Sequence, residues 1–383
     1  MDKRKIKVLN LIWSMGAGGA QQVLINYLRD FQTDPDIDFK AIVYTKPTTS
    51  KYDRMIRENH YAVEYLNNPK TRIQIPYIKR FFQRPISRTA WQKAIHDFKP
   101  DIVHVHISAL LLATLPGMIS ESVPVRFDTL HSSPYRYKGK ERRFISDAFQ
   151  NQGVVPICVT EAQAQEAKEW YGISRYEVVR NGVDIERIRE KCCTKQEARA
   201  DYRLQNSTFV VIGVGRLNPI KKFDLLIEAF AELHSKNKDS VLLIAGDGNE
   251  KGKLAHLAEK LDIKDSVRFL GNISDVTKLY CAADVLAVTS DTESSSLVAI
   301  EAQACGTRCV LSAGVPEESV LLKNSQRLNK NATVRDWCEA LLNYSYECIP
   351  KVSLEDYEVH NMSKRMKDIY LKYYRERENA DTE

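Results

Sequence analysis

The strongest constraint on the fold is an alternation of short β-branched runs with longer amphipathic segments, which occurs twice along the chain. Such alternation is typical of a mostly parallel sheet with helices on both faces. The sequence therefore predicts two doubly wound α/β domains in tandem. The predicted strands are 7–12, 39–44, 101–106, 123–130 and 154–160 in the first series, and 209–215, 240–246, 266–271, 283–290 and 307–313 in the second.

The alternation of strand-like and helical segments is interrupted between residues 181 and 207, where turn residues precede a charged, weakly apolar run. We therefore predict a first domain over 1–190 and a second over 191–353. Ligands bind at the carboxyl ends of the strands in such sheets, so the two domains are expected to face each other across a shared cleft. The predicted helices are 20–31, 223–236, 250–261, 274–282, 296–305, 334–348 and 354–376.

Composition excludes several classes of protein. With 383 residues, 43% of them hydrophobic, the chain is too long for one core and too apolar to be disordered. No uncharged apolar window approaches ~18 residues, and the charged start runs straight into a strand, so neither a membrane span nor a standard leader is expected. Eight cysteines without a CxxC pair or His/Cys ligand spacing favour reduced thiols in the cytoplasm and argue against structural zinc.

The net charge of +6 is unevenly distributed. Residues 1–190 carry 29 Lys+Arg against 21 Asp+Glu, which is +8 and leaves −2 for the rest. Two basic segments, 70–99 and 134–143, account for the excess. Either they are solvated surface, or they meet an anionic membrane or polyanionic acceptor.

The stretch SDTESSSLVAIEAQACG, residues 290–306, follows a predicted strand and ends in Gly306, a suitable helix C-cap. If the three serines after Glu293 open a helix, its free backbone N–H groups favour phosphate. Glu293 and Glu301 are then placed to accept hydrogen bonds from sugar and ribose hydroxyls. For Glu301 alone, a surface glutamate on a helix is an equally good interpretation.

A second stretch, GRLNPIKKF at 215–223, also follows a predicted strand. Arg216 and Lys221 lie at this strand-to-helix turn and could converge on one anion. Two charge-assisted hydrogen bonds would hold a leaving diphosphate by roughly 3–6 kcal/mol. The alternative is a solvated basic turn.

Together these motifs resemble family 4 of the nucleotide-sugar glycosyltransferases, which have the GT-B fold. The resemblance covers nearly the whole chain, and its later part is similar to bacterial capsule and exopolysaccharide transferases. The motifs, in the family's order, are GAGGAQ (16–21), HVH (104–106), TLH (129–131), NGVD (181–184), Arg216 with Lys221, GDG (246–248), FLG (269–271), ADV (283–285) and Glu293 with Glu301.

The resemblance implies a retaining hexosyl transfer from a nucleoside-diphosphate sugar, with no metal ion and no other cofactor. His106 would hydrogen-bond the donor sugar, although a packed histidine is an equally good interpretation, and the packed one is favoured for His104 and His131. Segment 354–383 would return to the first domain, with Met362, Met366, Ile369 and Tyr373 on its apolar face. The catalytic set would be His106, Arg216, Lys221 and Glu293, and the donor-binding set Gly16, Gly18, Gly19, Arg216, Lys221, Glu293, Ser294, Ser295, Ser296, Leu297 and Glu301.

This chain departs from the family pattern at three places. Ser294 stands where many relatives have glycine directly after the first glutamate, and Gln21 stands where an acidic residue is usual. The segment after residue 313 lacks the common Gly-rich turn. These differences put the donor preference in doubt.

The resulting hypothesis is an enzyme that adds a hexose, with UDP the expected carrier, to a lipid-linked or polysaccharide acceptor at the inner face of the cytoplasmic membrane. The alternative is a non-catalytic GT-B protein that binds nucleotide sugar or supports a partner transferase, since fold does not fix function. Nucleic-acid binding is not expected, because the basic segments contain no known module.

Overall fold

The structure is a computed structural model that describes residues 4–16, 18–66, 84–343 and 352–382. The chain divides into two compact units. One comprises residues 1–182 together with 359–383, and the other comprises 183–358. The boundaries predicted from sequence, after 190 and after 353, therefore differ from these by eight and five residues. The difference arises because 183–191 packs with the second unit.

The first domain is built around a seven-stranded parallel sheet in the order β3-β2-β1-β4-β5-β6-β7. From β1 the strands β2 and β3 are added on one side of the sheet, and β4 to β7 are added on the other side. The strand order therefore reverses between β1 and β4. The central strands are apolar on both faces because helices cover both. The strands are β1 Ile6–Ile12, β2 Ile37–Val43, β3 Val63–Tyr65, β4 Ile102–His106, β5 Val125–Thr129, β6 Val154–Cys158 and β7 Glu177–Val178, and the helices are α1 Gly19–Phe31, α2 Lys51–Glu58, α3 Arg84–Phe98, α4 Leu111–Ser120, α5 Gly139–Gln150 and α6 Glu161–Tyr171.

The second domain repeats this plan with a six-stranded parallel sheet, in the order β10-β9-β8-β11-β12-β13. Here the order reverses between β8 and β11. Such a reversal leaves a crevice at the carboxyl ends of the two strands, where α/β proteins bind ligands. The strands are β8 Phe209–Val214, β9 Ser240–Ala245, β10 Val267–Gly271, β11 Val285–Val288, β12 Arg308–Leu311 and β13 Gln326–Arg327, and the helices are α7 Ile185–Lys191, α8 Lys195–Asp201, α9 Phe223–Lys236, α10 Lys251–Lys260, α11 Thr277–Ala282, α12 Leu297–Ala304 and α13 Val334–Leu342.

The last helix, α14 (Val359–Thr382), returns to the first domain, as predicted. The four positions at helical spacing, Met362, Met366, Ile369 and Tyr373, are all buried in the core that α1 and β1 also line. The helix is also held by ion pairs, among them Lys367 with Asp34 at 2.8 Å. Removing α14 would uncover this apolar face of the first domain.

Two further predictions concern membranes. Residues 70–83, part of the first basic segment, lie outside the described residues. Of the helices that the structure does describe, none combines the length and the apolar composition that crossing a membrane requires.

Candidate functional site

Three loops of the second domain are joined at the carboxyl ends of β8, β11 and β12. The backbone N–H of Asp291 donates to the carbonyl of Ile220 at 2.8 Å, and that of Glu293 donates to the carbonyl of Gly314 at 2.8 Å. The hydroxyl of Thr289 donates to the carbonyl of Lys221 at 2.8 Å. The loop after β11 is thus fixed between its two neighbours, so side chains on it have defined positions.

Lys221 and Glu293 meet in this loop cluster. The Lys221 Nζ lies 2.5 Å from Glu293 Oε1, and the Ser290 hydroxyl donates to the same oxygen at 2.8 Å. Both side chains are largely shielded, with 24% and 14% of their surfaces exposed. Arg216 lies in the same loop after β8 and is exposed. The sequence prediction that these cations and Glu293 belong to one site is therefore consistent with the geometry.

The serines lie at the start of α12. The helix begins at Leu297 with Ser296 as its N-cap residue, one residue after the predicted start at 296. The hydroxyl oxygens of Ser294, Ser295 and Ser296 are sheltered from solvent, and none has a hydrogen-bond partner among the described residues. Buried hydroxyls normally have partners, and the first N–H groups of a helix favour an anion. This arrangement can therefore bind a phosphate or a sugar hydroxyl.

Glu301 lies further along α12. The buried Tyr280 hydroxyl donates to Glu301 Oε2 at 2.9 Å. Burial, reinforced by the Glu301 charge, raises the pKa of Tyr280 well above its usual range, so the tyrosine stays a donor. Its hydrogen bond orients the Glu301 carboxylate. Past the end of the helix Gly306 is left-handed, as expected for the predicted cap.

The GDG motif supports the loop that carries Arg216. The Leu217 N–H donates to the carbonyl of Asp247 at 3.0 Å. A Cβ on Gly246 would lie 1.8 Å from the Gly215 carbonyl oxygen, and one on Gly248 would lie 2.1 Å from the Leu217 carbonyl oxygen. Glycine is thus required here for close backbone approach rather than for ligand contact.

In the first domain, the predicted glycine loop follows β1. Gly18 is exposed and precedes α1, which begins at Gly19 and has no acidic residue in its first turn. Gln21, the departure from the family pattern, donates from Nε2 to the carbonyl of Ser14 at 2.9 Å and closes the loop. The Gln21 side chain also lies against Gly18, where an added Cβ would be 2.5 Å from Gln21 Oε1, so a residue with a side chain at 18 would displace it.

A buried carboxylate that sequence analysis missed supports this loop. Asp53 accepts hydrogen bonds from the Thr48 backbone, at 2.8 Å, and from the hydroxyls of Thr48, Ser50 and Tyr65. The Ser50 hydroxyl also approaches the carbonyl of Met15 at 2.6 Å. The sequence signal was the N-cap pattern of a serine followed three residues later by an acid.

The structure places His106, for which a sugar contact and a packed position were equally good interpretations, inside the first domain. His106 is fully buried, its Nε2 lies 3.0 Å from Asn10 Oδ1, and its Nδ1 lies 3.0 Å from His131 Nε2. Both ring nitrogens are thus already engaged inside the first domain. His131, which was interpreted as a packed residue, is partly buried.

Sequence analysis also missed Trp13, which directly follows β1 and precedes the glycine loop. Its ring stacks on Tyr44 with centroids 4.4 Å apart, yet 41% of its surface stays exposed. An exposed tryptophan fixed by stacking offers a flat apolar face next to a polar loop, the combination that many small-molecule sites use. The available signal was a lone tryptophan among small residues.

The two parallel sheets, with functional loops at both strand-order reversals, define a protein of the GT-B class. The comparison with known families agrees with this class, because two glycosyltransferase family models match successive parts of the chain. Residues 17–187 match the family described as Glycosyltransferase Family 4, and residues 194–341 match Glycosyl transferases group 1.

Solved structures agree on the fold. The Anabaena protein Alr3699/HepE, solved in complex with UDP and glucose, matches with a TM-score of 0.76 over 96% of this chain and 100% of that one, at 19% identity. WaaG, a glycosyltransferase involved in lipopolysaccharide biosynthesis, matches with a TM-score of 0.66 over 97% of this chain and 98% of that one, at 16% identity.

Curated relatives include D-inositol 3-phosphate glycosyltransferases. The one from Gordonia bronchialis is 37% identical over 206 residues, covering 48% of this chain and 43% of the relative. The one from Mycolicibacterium smegmatis is 36% identical over 196 residues, covering 48% and 44%. Each match thus spans less than half of the relative's length. These relatives do not single out the capsule and exopolysaccharide transferases that the sequence resembled.

Proposed function

We propose that this chain transfers a hexose from UDP to a hydroxyl group and retains the anomeric configuration. The observation that carries the proposal is the shielded Lys221–Glu293 pair beside the three unpartnered serine hydroxyls at the start of α12. A diphosphate fits the cations and the helix N–H groups, and a sugar fits the carboxylate and the hydroxyls. The likeness to a structure solved with UDP and glucose supports this choice of donor.

In the proposed reaction, the bond between the sugar C1 and the β-phosphate oxygen breaks as the acceptor oxygen bonds to C1 from the same face. The acceptor proton passes to the departing phosphate, so no protein nucleophile is needed. Arg216 and Lys221 offset the growing phosphate charge, at about 1.5–3 kcal/mol for each charge-assisted hydrogen bond. Glu293 holds Lys221 in place before the donor binds. After the donor has bound, Glu293 accepts a hydrogen bond from a sugar hydroxyl.

A thermal-shift panel tests the donor. A ligand that binds the native state raises its melting temperature, by an amount that corresponds to about 2.7 kcal/mol at one hundred times Kd. We expect UDP and a UDP-hexose to raise the melting temperature of the wild type more than GDP does. Equal shifts with all nucleotides, or none, would contradict the proposed donor. Release of UDP in the presence of acceptor then separates an enzyme from a binding protein.

Two acceptor classes have support. The basic segment 134–143 favours the acceptor predicted from sequence, a lipid-linked or polysaccharide glycan at the inner face of the cytoplasmic membrane. In that segment Arg142 lies over the Trp170 ring, 4.2 Å from its centroid, and Tyr135 packs edge-on against the same ring. The curated relatives favour a second candidate, a phosphorylated cyclitol such as inositol 3-phosphate.

We assign Trp13 to the acceptor-binding site for both acceptor classes, because it lies beside the glycine loop of the first domain. Trp13→Ala is expected to raise the acceptor KM about tenfold with little change in the donor KM, as one aromatic contact supplies about 1–1.5 kcal/mol. Steady-state kinetics with each acceptor class measure this. Ile119→Ala is the control for an exposed apolar side chain elsewhere in the same domain. Cosedimentation with anionic vesicles at low salt tests the membrane contact separately.

A further inference from the structure

Three elements of the second domain bring three thiols together. Cys192 directly follows α7, Cys281 lies in α11, and Cys305 directly follows α12. Their Sγ atoms all lie within 4.8 Å of one another, and each residue is only partly shielded from solvent. Because they come from positions as far apart as 192 and 305, no spacing rule detects the cluster, and this is why the sequence argued against zinc.

We propose that Cys192, Cys281 and Cys305 bind one zinc ion in the second domain. Three thiolates are the core of a structural zinc site, which completes its tetrahedron with a fourth ligand. In such a tetrahedron the sulfur atoms lie ~3.8 Å apart, since each Zn–S bond is about 2.3 Å. The cluster therefore needs to contract by no more than about 1 Å, which rotation of half-exposed side chains supplies.

Cys193 is the fourth ligand that the geometry offers. It is adjacent to Cys192 in the chain, and its thiol interacts with that of Cys281. All four cysteines line one surface cavity, which also contains Lys195, Asp284 and Arg308. Two of these three side chains are cations and one is a carboxylate. Their net positive charge stabilises thiolates in the cavity.

The position of the site suggests what zinc would do. A bound zinc ion would link the segment at the start of the second domain to α11 and to the end of α12. The other end of α12 carries Ser296, and Tyr280, next to Cys281, donates to Glu301. Zinc would thus stabilise the second domain and fix the helix that forms one wall of the candidate donor site.

Metal titration tests the proposal directly. Reduced, metal-free full-length protein is titrated with Zn²⁺ in competition with a chromophoric chelator, and separately with Co²⁺, whose thiolate complexes show sulfur-to-metal charge-transfer absorption. We expect one equivalent of each metal, the thiolate absorption band, and a higher melting temperature with Zn²⁺. Cys281→Ser is expected to weaken Zn²⁺ binding at least ~100-fold, because loss of a direct ligand exceeds the 10- to 100-fold cost of changes around a site.

Cys338→Ser is the matched control, since Cys338 is a buried thiol of the same domain outside the cluster. Should Cys281→Ser fail to fold, Cys192→Ser replaces it, because Cys192 lies at a helix end and is partly exposed. The proposal is overturned by Zn²⁺ affinity that is the same in the ligand and control variants, or by cobalt spectra without the thiolate band. Intact mass that shows a disulfide within the cluster in protein isolated under anaerobic conditions also overturns it.

Discussion

At the scale of single residues, the contact between Lys221 and Glu293 is the feature on which the proposed chemistry most depends. The two side chains lie far apart in sequence and meet at 2.5 Å between loops that follow neighbouring strands. A shielded ion pair that loses one partner leaves the other charge poorly solvated. Each residue therefore has two effects, one on the local structure and one on the donor phosphate.

Lys221→Ala removes one of the two cations proposed to stabilise the leaving phosphate. We expect kcat to fall by about 10- to 100-fold, which corresponds to 1.5–3 kcal/mol of lost charge-assisted hydrogen bonding. Glu293→Gln keeps an acceptor for Lys221 but removes the charge, so a smaller loss is expected. Initial-rate assays with saturating donor measure both. The neighbouring cation variant Lys222→Ala is the control, and unchanged turnover in Lys221→Ala would refute the proposed role.

At the scale of elements, the loops of the donor domain are fixed by backbone contacts as much as by side chains. The loop with Arg216 runs against the GDG loop so closely that Gly248 has no room for a methyl group. The position of Arg216 thus depends on a residue that touches no ligand. A displaced Arg216 would lower the reaction rate, because the reacting groups must be aligned before the bond breaks.

Gly248→Ala is expected to displace the Leu217 carbonyl, and the Arg216 loop with it. A misplacement of about 1 Å lowers the rate by about 100-fold, so kcat/KM for the donor should fall by that order. Gly252→Ala is the matched control, because a Cβ there meets no atom within 4 Å. Donor kinetics and the thermal shift with UDP measure the effect. Equal behaviour of the two variants would mean that the loop tolerates the shift.

How much the sequence predicted follows from the kind of interaction involved. All ten predicted strands have a counterpart in the structure, because a continuous apolar run such as β8 is stable as a strand buried on both faces. The short strands β3, β7 and β13 and the helices α2 to α8 were not predicted. The loops with Arg216 and Glu293 were found because they follow such strands. The sequence left the burial of His106 open between two interpretations, and the stacking of Trp13 and the cysteine cluster were not predicted. Each depends on side chains from different elements that meet only in the folded domain.

At the scale of the whole molecule, buried ionisable groups make the stability of the first domain depend on pH. In the first domain, burial lowers the pKa values of His104 and His131 to about 3 and holds that of His106 well below its usual range, and neighbouring histidines add to the shifts of His104 and His106. Burial raises the pKa of Asp128, on β5, well above its usual range, and the Ser108 hydroxyl offsets only part of this. The stability of the first domain should therefore depend on pH through two opposing effects.

The sign of each effect follows from proton binding. Below about pH 6.5 the unfolded chain protonates all three histidines while the native domain does not, so their contribution to stability is present above that pH and is lost on acidification. Asp128 acts in the opposite sense, because the native domain holds its proton while the unfolded chain has lost it above about pH 4. Acidification from pH 7 to 5 therefore lowers the unfolding free energy through the histidines, by about 2 kcal/mol for each one that stays neutral in the native domain, and raises it through Asp128.

Asp128→Asn should therefore expose the full acid sensitivity of the histidines. We expect the unfolding free energy of the first domain to fall more steeply between pH 7 and 5 in the variant than in the wild type, by up to about 2.7 kcal/mol, which corresponds to one proton over two pH units. Hydrogen exchange of the β4 and β5 amides, corrected for the intrinsic effect of pH, measures this domain alone. His256→Gln, at an exposed histidine of the second domain, is the control and should follow the wild type. Parallel pH profiles for wild type and Asp128→Asn would show that Asp128 is ionised in the folded protein, and the burial argument for its raised pKa would then be wrong.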